Sequence, residues 1–417
     1  MQTIFLAAGK NSRVAPISDK NFLEFGGEKY FLKLLKNAKN GGCENFVIVA
    51  NSENLAKIKK ICGENLFLKT AKIAVQKNLR TGMAGAIAAA LEFCDAKNEI
   101  LILGGNDFFS SQIFAEIFKI GRKNDGAILA KKMEKYFPGG YLQFLRDEKK
   151  ISKIVEKPRP ENLPSNFVTI VAHFFARAEI LQKKLAEKNF ADFAKKSTEN
   201  SPKIDDFYEQ ILDELFAEKF FAPVFYDDFW FAIKFPHHIL EIAEFFLKNL
   251  RGKIAASAQI SDRAILKNPE KIFISKNVKI FENATICGPV FLGENSVVGT
   301  GALVRDSIVG ANCEIGFSSE IARSFLARNV RAHRAFLGDS VVDENVNFGA
   351  FSCTANLRFD EKKIFYKIKN QKICSDRQKF GAVVGKNSRV GIGAKIMPGA
   401  KIPPNFFVGP GEIFFGK

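Results

Sequence analysis

The stretch KIFENATICGPVFLGENSVVGTGALV, residues 279–304, contains a repeat of six residues. An aliphatic residue occupies every sixth position, and a small or aliphatic residue lies two positions before it. Such a hexapeptide repeat predicts a parallel β-helix, in which the recurrent aliphatic side chain points into the prism and the small residue lies at a tight corner. The recurrent aliphatic residues are Ile280, Ile286, Leu292, Val298 and Val304, and those two positions earlier are Val278, Ala284, Val290, Ser296 and Ala302.

The repeat continues towards the C-terminus with interruptions. It shifts by one position before Val309, Ile315 and Ile321, and it returns as a second ladder over residues 384–408. Two ladders of this length are hard to explain by chance, so we predict one β-helix over residues 251–417. The break at residues 356–380 predicts a loop that leaves the coil, and such loops often carry binding residues.

Residues 1–250 have a different pattern, in which strand-like and helix-like segments alternate. FVIVA (46–50) and EILIL (99–103) are typical of buried parallel strands, whereas AGAIAAALEF (84–93) is typical of a helix. This alternation predicts a doubly wound, Rossmann-like α/β domain. Ligands bind at the carboxyl ends of the strands in such folds, and the turn LAAGKNSR (6–13) follows the first predicted strand. The chain contains neither a GxGxxG nor a GxxxxGKS/T motif.

The composition limits the partners that we expect. The 417 residues include 62 Lys and Arg against 45 Asp and Glu, which gives a net charge of +17. Nucleic acid, small phosphorylated substrates and a biased genome composition would each account for this charge. No nucleic-acid-binding motif or concentrated basic block occurs, so we expect small-molecule substrates and no nucleic-acid partner.

We expect a cytoplasmic protein without a membrane partner. Its seven cysteines include no CxxC pair, which is typical of a reducing compartment rather than of a disulfide framework or a zinc site. The first apolar run is too short for a signal peptide, and no apolar stretch approaches the ~20 residues that span a bilayer.

The motifs of residues 1–250 resemble those of the sugar-1-phosphate nucleotidylyltransferases. LAAGKNSR resembles the glycine-rich signature of that family, and QKNLRTGMAGA (76–86) resembles its base-reading segment. EKP (156–158) resembles the sugar-binding EKP, and FWFAIKFPHHIL (229–240) resembles the element before the last helix. The resemblance implies transfer of a nucleotidyl group from a nucleoside triphosphate to a sugar 1-phosphate.

The resemblance also implies roles for individual residues. The turn after the first strand would line the triphosphate with backbone N–H groups. Positioning and charge neutralisation do most of the work in such a transfer. The implied nucleotide-binding residues are Ala7, Ala8, Gly9, Gln76 and Gly82, the implied catalytic cations are Arg13 and Lys20, and the implied sugar-phosphate contacts are Gly140, Glu156 and Lys157.

The family holds Mg²⁺ with two aspartates, and this chain departs from that pattern. Asn106 takes the first aspartate position, with Asp107 next to it, and Ala232 takes the second. Mg²⁺ prefers carboxylate and phosphate oxygens, so Asn106 offers a neutral oxygen and Ala232 offers none. We predict a metal site at Asn106 and Asp107, with Asp227 and Asp228 as alternative carboxylates.

HRAFLGDSVVDENVNFGAFSCTANLRFDEKK, residues 333–363, resembles the left-handed β-helix acetyltransferases. More narrowly, it is similar to the C-terminal domain of the bifunctional uridylyltransferase and acetyltransferase family that makes nucleotide-activated N-acetylglucosamine. The resemblance implies a left-handed coil, acetyl-CoA as co-substrate and an amino-sugar 1-phosphate as acceptor. It also implies a homotrimer with acyl sites between the subunits.

Acetyl transfer to an amine needs a base that takes the amine proton and donors for the developing oxyanion. His333 is the single histidine after residue 250 and matches the family's base. β-Helix carbonic anhydrases bind zinc with three histidines, so that activity is excluded. Phe336 replaces the family's tyrosine. The remaining implied contacts are Asn347 for the amino sugar, Ala350 for the thioester arm, Asn356 for the acetyl end and Lys362 for the phosphate.

The leading hypothesis is therefore a bifunctional enzyme with domains at residues 1–250 and 251–417. The alternative is a catalytically degenerate paralogue that binds sugar nucleotide or regulates an assembly. Asn106, Ala232 and Phe336 favour the alternative, whereas His333, Asn356 and Lys362 oppose it. A third possibility keeps only one of the two activities. The sequence leaves the sugar and the base open.

Overall fold

The computed structural model describes residues 1–145, 148–188, 207–368 and 371–416. The chain forms two compact units. The first comprises Met1–Lys10 and Phe31–Trp230, and the second comprises Asn11–Tyr30 and Phe231–Lys417. The domain boundary near residue 250 stays a prediction. No helix among the described residues is both long and apolar enough to cross a membrane.

The helices occur mainly in the N-terminal part of the chain. The α-helices are α1 (Tyr30–Asn40), α2 (Leu55–Glu64), α3 (Gly82–Leu91), α4 (Ile113–Gly121), α5 (Ala178–Ala186), α6 (Phe207–Glu218) and α7 (His237–Lys248). Short 3₁₀ helices cover Lys20–Phe22, Leu66–Leu68, Leu79–Thr81, Pro160–Asn162 and Pro269–Lys271.

The first unit is built on a mixed nine-stranded sheet. The strands up to residue 232 are β1 (Gln2–Leu6), β2 (Glu24–Phe25), β3 (Glu28–Lys29), β4 (Phe46–Ala50), β5 (Lys72–Val75), β6 (Ile100–Gly104), β7 (Asp107–Phe109), β8 (Gly126–Lys132), β9 (Gly140–Leu145), β10 (Lys150–Glu156), β11 (Phe167–Phe175), β12 (Phe221–Tyr226) and β13 (Trp230–Ala232). The main order is β10-β9-β11-β6-β1-β4-β5, and β8 joins β11 to β12.

Strands β6, β1, β4 and β5 of this sheet are parallel neighbours. Their carboxyl ends therefore meet at one edge of the sheet, which is where the predicted nucleotide-binding residues follow them. Strand β11 runs antiparallel to β6 and β8. The structure confirms the predicted Rossmann-like α/β architecture.

The second unit contains a left-handed parallel β-helix with three faces, as predicted. Its strands are β14 (Lys253–Ile254), β15 (Gln259–Ile260), β16 (Ile265–Lys267), β17 (Ile272–Ile274), β18 (Lys279–Ile280), β19 (Thr285–Leu292), β20 (Val297–Val298), β21 (Leu303–Val309), β22 (Glu314–Ile315), β23 (Glu320–Ala322), β24 (Phe325–Leu326), β25 (Arg331–Ala332), β26 (Phe336–Gly338), β27 (Val341–Val342), β28 (Asn347–Phe348), β29 (Cys353–Thr354), β30 (Phe365–Ile368), β31 (Gln371–Cys374), β32 (Val383–Val384), β33 (Arg389–Val390), β34 (Lys395–Ile396), β35 (Lys401–Ile402), β36 (Phe407–Val408) and β37 (Ile413–Phe414).

Every recurrent aliphatic residue of the two ladders is buried. Val298, Val304 and Ile396 are completely inaccessible, and they belong to one apolar cluster that runs through the prism. Of the residues two positions earlier, Ala302 and Ala394 are buried, whereas Phe406 is only partly buried against the cluster. The hexapeptide rule therefore identified the core correctly.

Between β27 and β32 an ejected segment interrupts the coil. Strand β27 pairs with β32, although 40 residues separate Val342 from Val383, and β30 and β31 form an antiparallel hairpin within that interval. This confirms the predicted loop. Helix α7 and residues 11–30 pack on the β-helix in the same unit, because the Phe25 ring lies 5.1 Å from Phe325 and 5.5 Å from Phe246.

Candidate functional site

The turn after β1 is held by two asparagines at the end of β4. Asn54 Nδ2 donates to the carbonyl of Ala7 (2.8 Å), and Asn51 Nδ2 donates to the carbonyl of Ala8 (2.9 Å). Both asparagines are buried, and the side-chain oxygen of each accepts the backbone N–H of the other. Gly9 follows exposed, with open space where a Cβ would lie. The turn is thus fixed by side chains that the sequence analysis did not single out.

The predicted base-reading residues Gln76 and Gly82 lie together. Gln76 is buried, and its Nε2 donates to the carbonyls of Asn78 (3.2 Å) and Gly82 (2.8 Å). Gly82 has a φ of +56°, which favours glycine at the start of α3. A Cβ on Gly85, in the first turn of α3, would lie 1.7 Å from Thr81 Oγ1, so a second glycine is required here.

Asn106 and Asp107 follow β6 as predicted. Trp230 Nε1 donates to Asp107 Oδ1 (3.0 Å), and the Trp230 ring packs 4.7 Å from Phe137. The Asp107 side chain therefore has a fixed position at the strand end. One carboxylate and one amide oxygen fit Mg²⁺, because this ion often binds one or two carboxylates and completes its shell with water and phosphate oxygens.

The alternative carboxylates are less suitable. Asp227 and Asp228 are exposed, and Lys131 Nζ donates to their backbone carbonyls (3.3 and 2.7 Å) rather than to their carboxylates. Asp228 Oδ1 accepts the N–H of Phe229 (2.7 Å). These contacts shape the loop before Trp230.

The predicted sugar-phosphate residues Gly140, Glu156 and Lys157 are neighbours in space. Gly140 on β9 pairs directly with Glu156 on β10, and Lys157 Nζ lies 3.0 Å from Glu156 Oε1. A Cβ on Gly140 would lie 2.8 Å from Ile154 Cγ2 and 3.1 Å from Glu156 Oε2. Glycine is therefore needed at position 140, because a side chain there would keep the Glu156 side chain from lying close to β9.

Arg13 and Lys20 belong to the second compact unit. Arg13 is exposed, and Lys20 Nζ donates to the carbonyl of Ile233 (3.0 Å). The segment between them is anchored to the β-helix, because the N–H and Oγ of Ser18 both donate to Asp343 Oδ2 (2.9 Å each). Asp343 is only 2% exposed.

His333 lies at a corner of the prism where the neighbouring rungs have glycine. Backbone hydrogen bonds align its N–H with those of Gly299, Gly316, Gly349 and Gly391. A Cβ on Gly316 would lie 2.8 Å from the Ala332 carbonyl. The His333 corner carries a side chain instead, and it is one residue shorter than the Gly316 corner.

The shorter corner is visible in the spacing of buried residues. Only His333 and Arg334 separate the buried Ala332 from the buried Ala335, whereas three residues (316–318) separate Ile315 from Ser319. His333 is exposed. The guanidinium of Arg334 lies 4.8 Å from the ring centre of Phe351 and 5.7 Å from that of Phe317.

Asn347 lies on the third face of the prism, in a groove of about 800 Å³. Arg331 and Arg389 are its direct register partners on the rungs before and after it, and both line the groove. Glu314 lies 3.4 Å from Arg331 and neutralises part of its charge. The structure thus surrounds the predicted amino-sugar contact with two cations.

The remaining acetyl-site residues lie at separate places. The carbonyl of Ala350, one rung after His333, accepts the N–H of Gly393 (2.8 Å). Asn356 lies at the next corner, where its Nδ2 donates to Asp339 Oδ2 (2.5 Å). Lys362 is exposed on the ejected segment, and its N–H donates to Asp360 Oδ1 (3.3 Å).

Three comparisons with known proteins extend these observations. Residues 2–245 match the family model described as nucleotidyl transferase. The chain belongs to the nucleotidyl transferase family. A bifunctional sugar-1-phosphate nucleotidylyltransferase/acetyltransferase of Sulfurisphaera tokodaii is 29% identical over 99% of this chain and 97% of its own length. The bifunctional protein GlmU of Methanocaldococcus jannaschii is 27% identical over 98% of this chain and 93% of its own.

A solved structure supports the fold of this nucleotidyl transferase. A Bacillus anthracis protein assigned as a glucose-1-phosphate thymidylyltransferase superimposes with a TM-score of 0.50 at 15% identity. The match covers 59% of this chain and 95% of that chain. At this identity the similarity shows the fold alone.

Another group of metal-ligating side chains occurs in the described part of the nucleotidyl transferase. Donor atoms of His237, His238 and Glu241 on α7 lie within 4.8 Å of one another. The backbone N–H groups of Lys234 and Phe235 donate to His238 Nδ1 (3.1 Å each), so the neutral ring carries its proton on Nε2. That nitrogen has no lone pair for a metal, and the group is an incomplete site.

Proposed function

We propose that this protein is a bifunctional enzyme of nucleotide-sugar synthesis. Its second unit transfers an acetyl group from acetyl-CoA to the amine of an amino-sugar 1-phosphate. Its N-terminal part transfers a nucleotidyl group from a nucleoside triphosphate to the resulting sugar 1-phosphate and releases pyrophosphate. The observation that carries the proposal is the similarity over 99% of the chain to a relative named for both activities.

In nucleotidyl transfer, a phosphate oxygen of the sugar attacks the α-phosphorus and pyrophosphate leaves. The turn at Ala7–Gly9, fixed by Asn51 and Asn54, would hold the triphosphate. Gln76 and Gly82 would contact the base, while Gly140, Glu156 and Lys157 would contact the sugar phosphate. Arg13 and Lys20 would neutralise phosphate charge, as the resemblance implies.

Asn106 and Asp107 would hold Mg²⁺ with their side-chain oxygens. When bound, the ion neutralises charge on the phosphate oxygens. Trp230 would keep Asp107 oriented through its 3.0 Å hydrogen bond. Ala232 supplies no ligand, which favours the alternative of a degenerate paralogue that binds nucleotide without turnover.

In acetyl transfer, His333 would take the proton of the amine as its nitrogen attacks the thioester carbon. The C–N bond forms, the C–S bond breaks and the thiolate of coenzyme A accepts the proton. Asn347, with Arg331 and Arg389 beside it, would bind the amino-sugar phosphate in the groove. Lys362 would contact the phosphate, Ala350 the thioester arm and Asn356 the acetyl end.

We propose a homotrimer, as the resemblance implies, with acetyl sites between copies, because the acetyl-site residues occupy two corners of one prism. His333 precedes β26, and Asn356 follows β29 on the same face. At ~3.3 Å per strand residue, opposite ends of a face of this length lie roughly 15 Å apart. Reacting groups must approach to about 3–3.5 Å, so the two residues would meet only across an interface between copies.

Two assays on the purified chain test the proposal. One measures free thiol released from acetyl-CoA with a panel of amino-sugar 1-phosphates, and the other measures pyrophosphate released from a panel of nucleoside triphosphates with sugar 1-phosphates. Turnover in both supports the bifunctional enzyme. Nucleotide binding by calorimetry without turnover in either assay would instead support the degenerate paralogue.

A further inference from the structure

Asp339 is a buried carboxylate between an arginine and the predicted acetyl-site asparagine. It is 1% exposed. Arg323 Nε donates to Asp339 Oδ1 (2.8 Å), and Arg323 Nη2 donates to Oδ2 (2.7 Å). Asn356 Nδ2 donates to the same Oδ2 (2.5 Å). Three side chains from three rungs thus form one connected network.

The coil geometry aligns these residues. Asp306, Arg323 and Asp339 occupy the same corner on successive rungs, with φ values of +49°, +47° and +49°. Asn356 follows at this corner on the next rung, and its carbonyl accepts the N–H of Phe380 (2.9 Å). A Cβ on Gly338 would lie 2.7 Å from Asn356 Nδ2, so this glycine leaves the space that the amide occupies.

The network fixes which way the Asn356 amide faces. An ionised carboxylate only accepts hydrogen bonds, so the amide must present its nitrogen to Asp339. Its Oδ1 then faces away from the network. No side chain or N–H group in the described part of the chain donates to this oxygen. It is therefore an oriented acceptor at the predicted acetyl site.

We propose that Asp339, held by Arg323, is a positioning residue for acetyl transfer. It fixes the amide of Asn356 at the acetyl end of the site, so that Oδ1 accepts an N–H of the substrate amine where that amine meets the acetyl group. This inference rests on the proposed acetyltransferase function. The oriented N–H directs the lone pair of the amine at the thioester carbon, while the general base takes the other proton. A flipped amide would present an NH₂ group to the amine instead and would repel its hydrogens.

A double-mutant cycle tests this role. Asp339→Asn keeps the size of the side chain and tolerates a positive φ, but it no longer dictates the orientation of the neighbouring amide. We expect it to lower kcat for acetyl transfer about tenfold, with KM for acetyl-CoA changed less than about twofold. In an Asn356→Ala background, the same substitution should change kcat by less than about twofold, because Asp339 acts through Asn356.

Asp306→Asn is the matched control. This residue occupies the same corner two rungs before Asp339, but its side chain is 46% exposed and lies 4.0 Å from Arg305. We expect wild-type kcat from this variant. If Asp339→Asn does not fold, Arg323→Lys replaces it, because lysine keeps the charge and loses the two-pronged contact with the carboxylate.

The outcomes separate this inference from the proposed function. The positioning role would be overturned if the kcat losses of Asp339→Asn and Asn356→Ala multiplied in the double variant, or if Asp339→Asn changed only KM. Either result would leave the proposed acetyltransferase function intact. A wild-type chain that acetylates no amino-sugar 1-phosphate would overturn the proposed acetyl transfer, and the positioning role with it. A loss in Asp339→Asn that disappears in the Asn356→Ala background would support both.

Discussion

Asparagines shape the turn after β1 and the corners of the β-helix, but they do so differently. Asn51 and Asn54 are buried and hold a single turn through contacts that occur only there. In the β-helix, asparagines with a left-handed φ repeat at one corner, most of them exposed, and side-chain hydrogen bonds link them into two runs. These are Asn277, Asn295 and Asn312, and then Asn329, Asn345, Asn387 and Asn405.

This difference indicates where a substitution should have a large effect on stability or binding. A contact that occurs once, such as that of Asn54 with Ala7, has no substitute when it is lost. A contact that recurs on several successive rungs is shared, so the loss of one member leaves the other contacts in place. His333 is the exception in the repetitive unit, because it occurs at a corner where the aligned rungs have glycine.

The largest effect is therefore expected at His333. His333→Ala should lower acetyl transfer by ~10² to 10⁴-fold, because it removes the general base. Folding should be unaffected, since the side chain is exposed. Thiol release from acetyl-CoA measures the effect, and pyrophosphate release by the same preparation is the control. Retention of most acetyl transfer would mean that another group is the base.

A smaller effect is expected at the metal site of the first unit. Asn106→Asp adds a carboxylate next to Asp107. We therefore expect the Mg²⁺ concentration that gives half-maximal pyrophosphate release to fall at least about tenfold. Asp107→Asn should raise this Mg²⁺ concentration, although the new amide oxygen can still accept the hydrogen bond from Trp230. Titration of Mg²⁺ at fixed nucleotide measures both.

Asp228→Asn is the control for these two variants, because the Asp228 carboxylate is exposed and accepts the N–H of Phe229. If Asp228→Asn abolishes Mg²⁺-dependent pyrophosphate release while Asp107→Asn does not, the alternative carboxylates hold the ion.

The sequence predicted some of the features tested above and missed others. The hexapeptide ladders predicted the core of the β-helix because a six-residue period leaves few other folds. The motifs located Gln76 near Gly82 and Gly140 near Glu156, since each pair lies in one loop or in adjacent strands. Partners brought together by folding were missed. Asn54 and Ala7 are 47 residues apart, and no local pattern connects them.

The asparagine ladder and the Asp339 network show two kinds of missed signal. The ladder was visible, because an asparagine precedes the inward-pointing Val278, Ser296, Val330 and Val346 by one position. The network was not, because the pairing of Arg323 with Asp339 depends on rungs of 17 and 16 residues aligning the same corner. Only the register of the coil reveals it.

Asn54→Ala tests the unshared contact in the first unit. It removes a hydrogen bond to the Ala7 carbonyl and leaves the buried N–H of Asn51 without its acceptor. We expect a loss of about 1–3 kcal/mol in the free energy of unfolding and weaker nucleotide binding. Denaturant unfolding and calorimetry measure the two effects. An unchanged nucleotide affinity would show that the turn does not need this asparagine.

Protonation of His173 should destabilise the first unit as the pH falls. This histidine is buried between Thr169 and Tyr208, and burial lowers its pKa to about 3. A depressed pKa gives stability that is present above the unfolded value of ~6.5 and is lost towards the folded value. Between pH 7 and pH 5 we expect a loss of ~2 kcal/mol from this residue.

Other buried groups of the second unit add to the pH dependence, so a variant must isolate His173. Burial also lowers the pKa of His237 to about 4, whereas it raises the pKa of Glu241 to about 7, which acts in the opposite direction. His173→Gln should therefore reduce the slope of stability against pH without abolishing it. Equal slopes in wild type and His173→Gln would contradict the assignment.

The smallest effect is expected at the ladder. Asn345→Ala removes the hydrogen bonds to Asn329 and Asn387 (2.8 and 3.1 Å), but these side chains are exposed and water can replace the lost partners. Alanine is also strained at the φ of +60°, whereas Asn345→Gly removes the same hydrogen bonds without that strain. We expect a loss of roughly 1 kcal/mol for alanine and less for glycine. Denaturant midpoints of the two variants measure the difference. If glycine costs as much as alanine, the ladder stabilises the corner through its hydrogen bonds. A loss as large as that of Asn54→Ala would show that repetition does not protect the β-helix from the removal of one member.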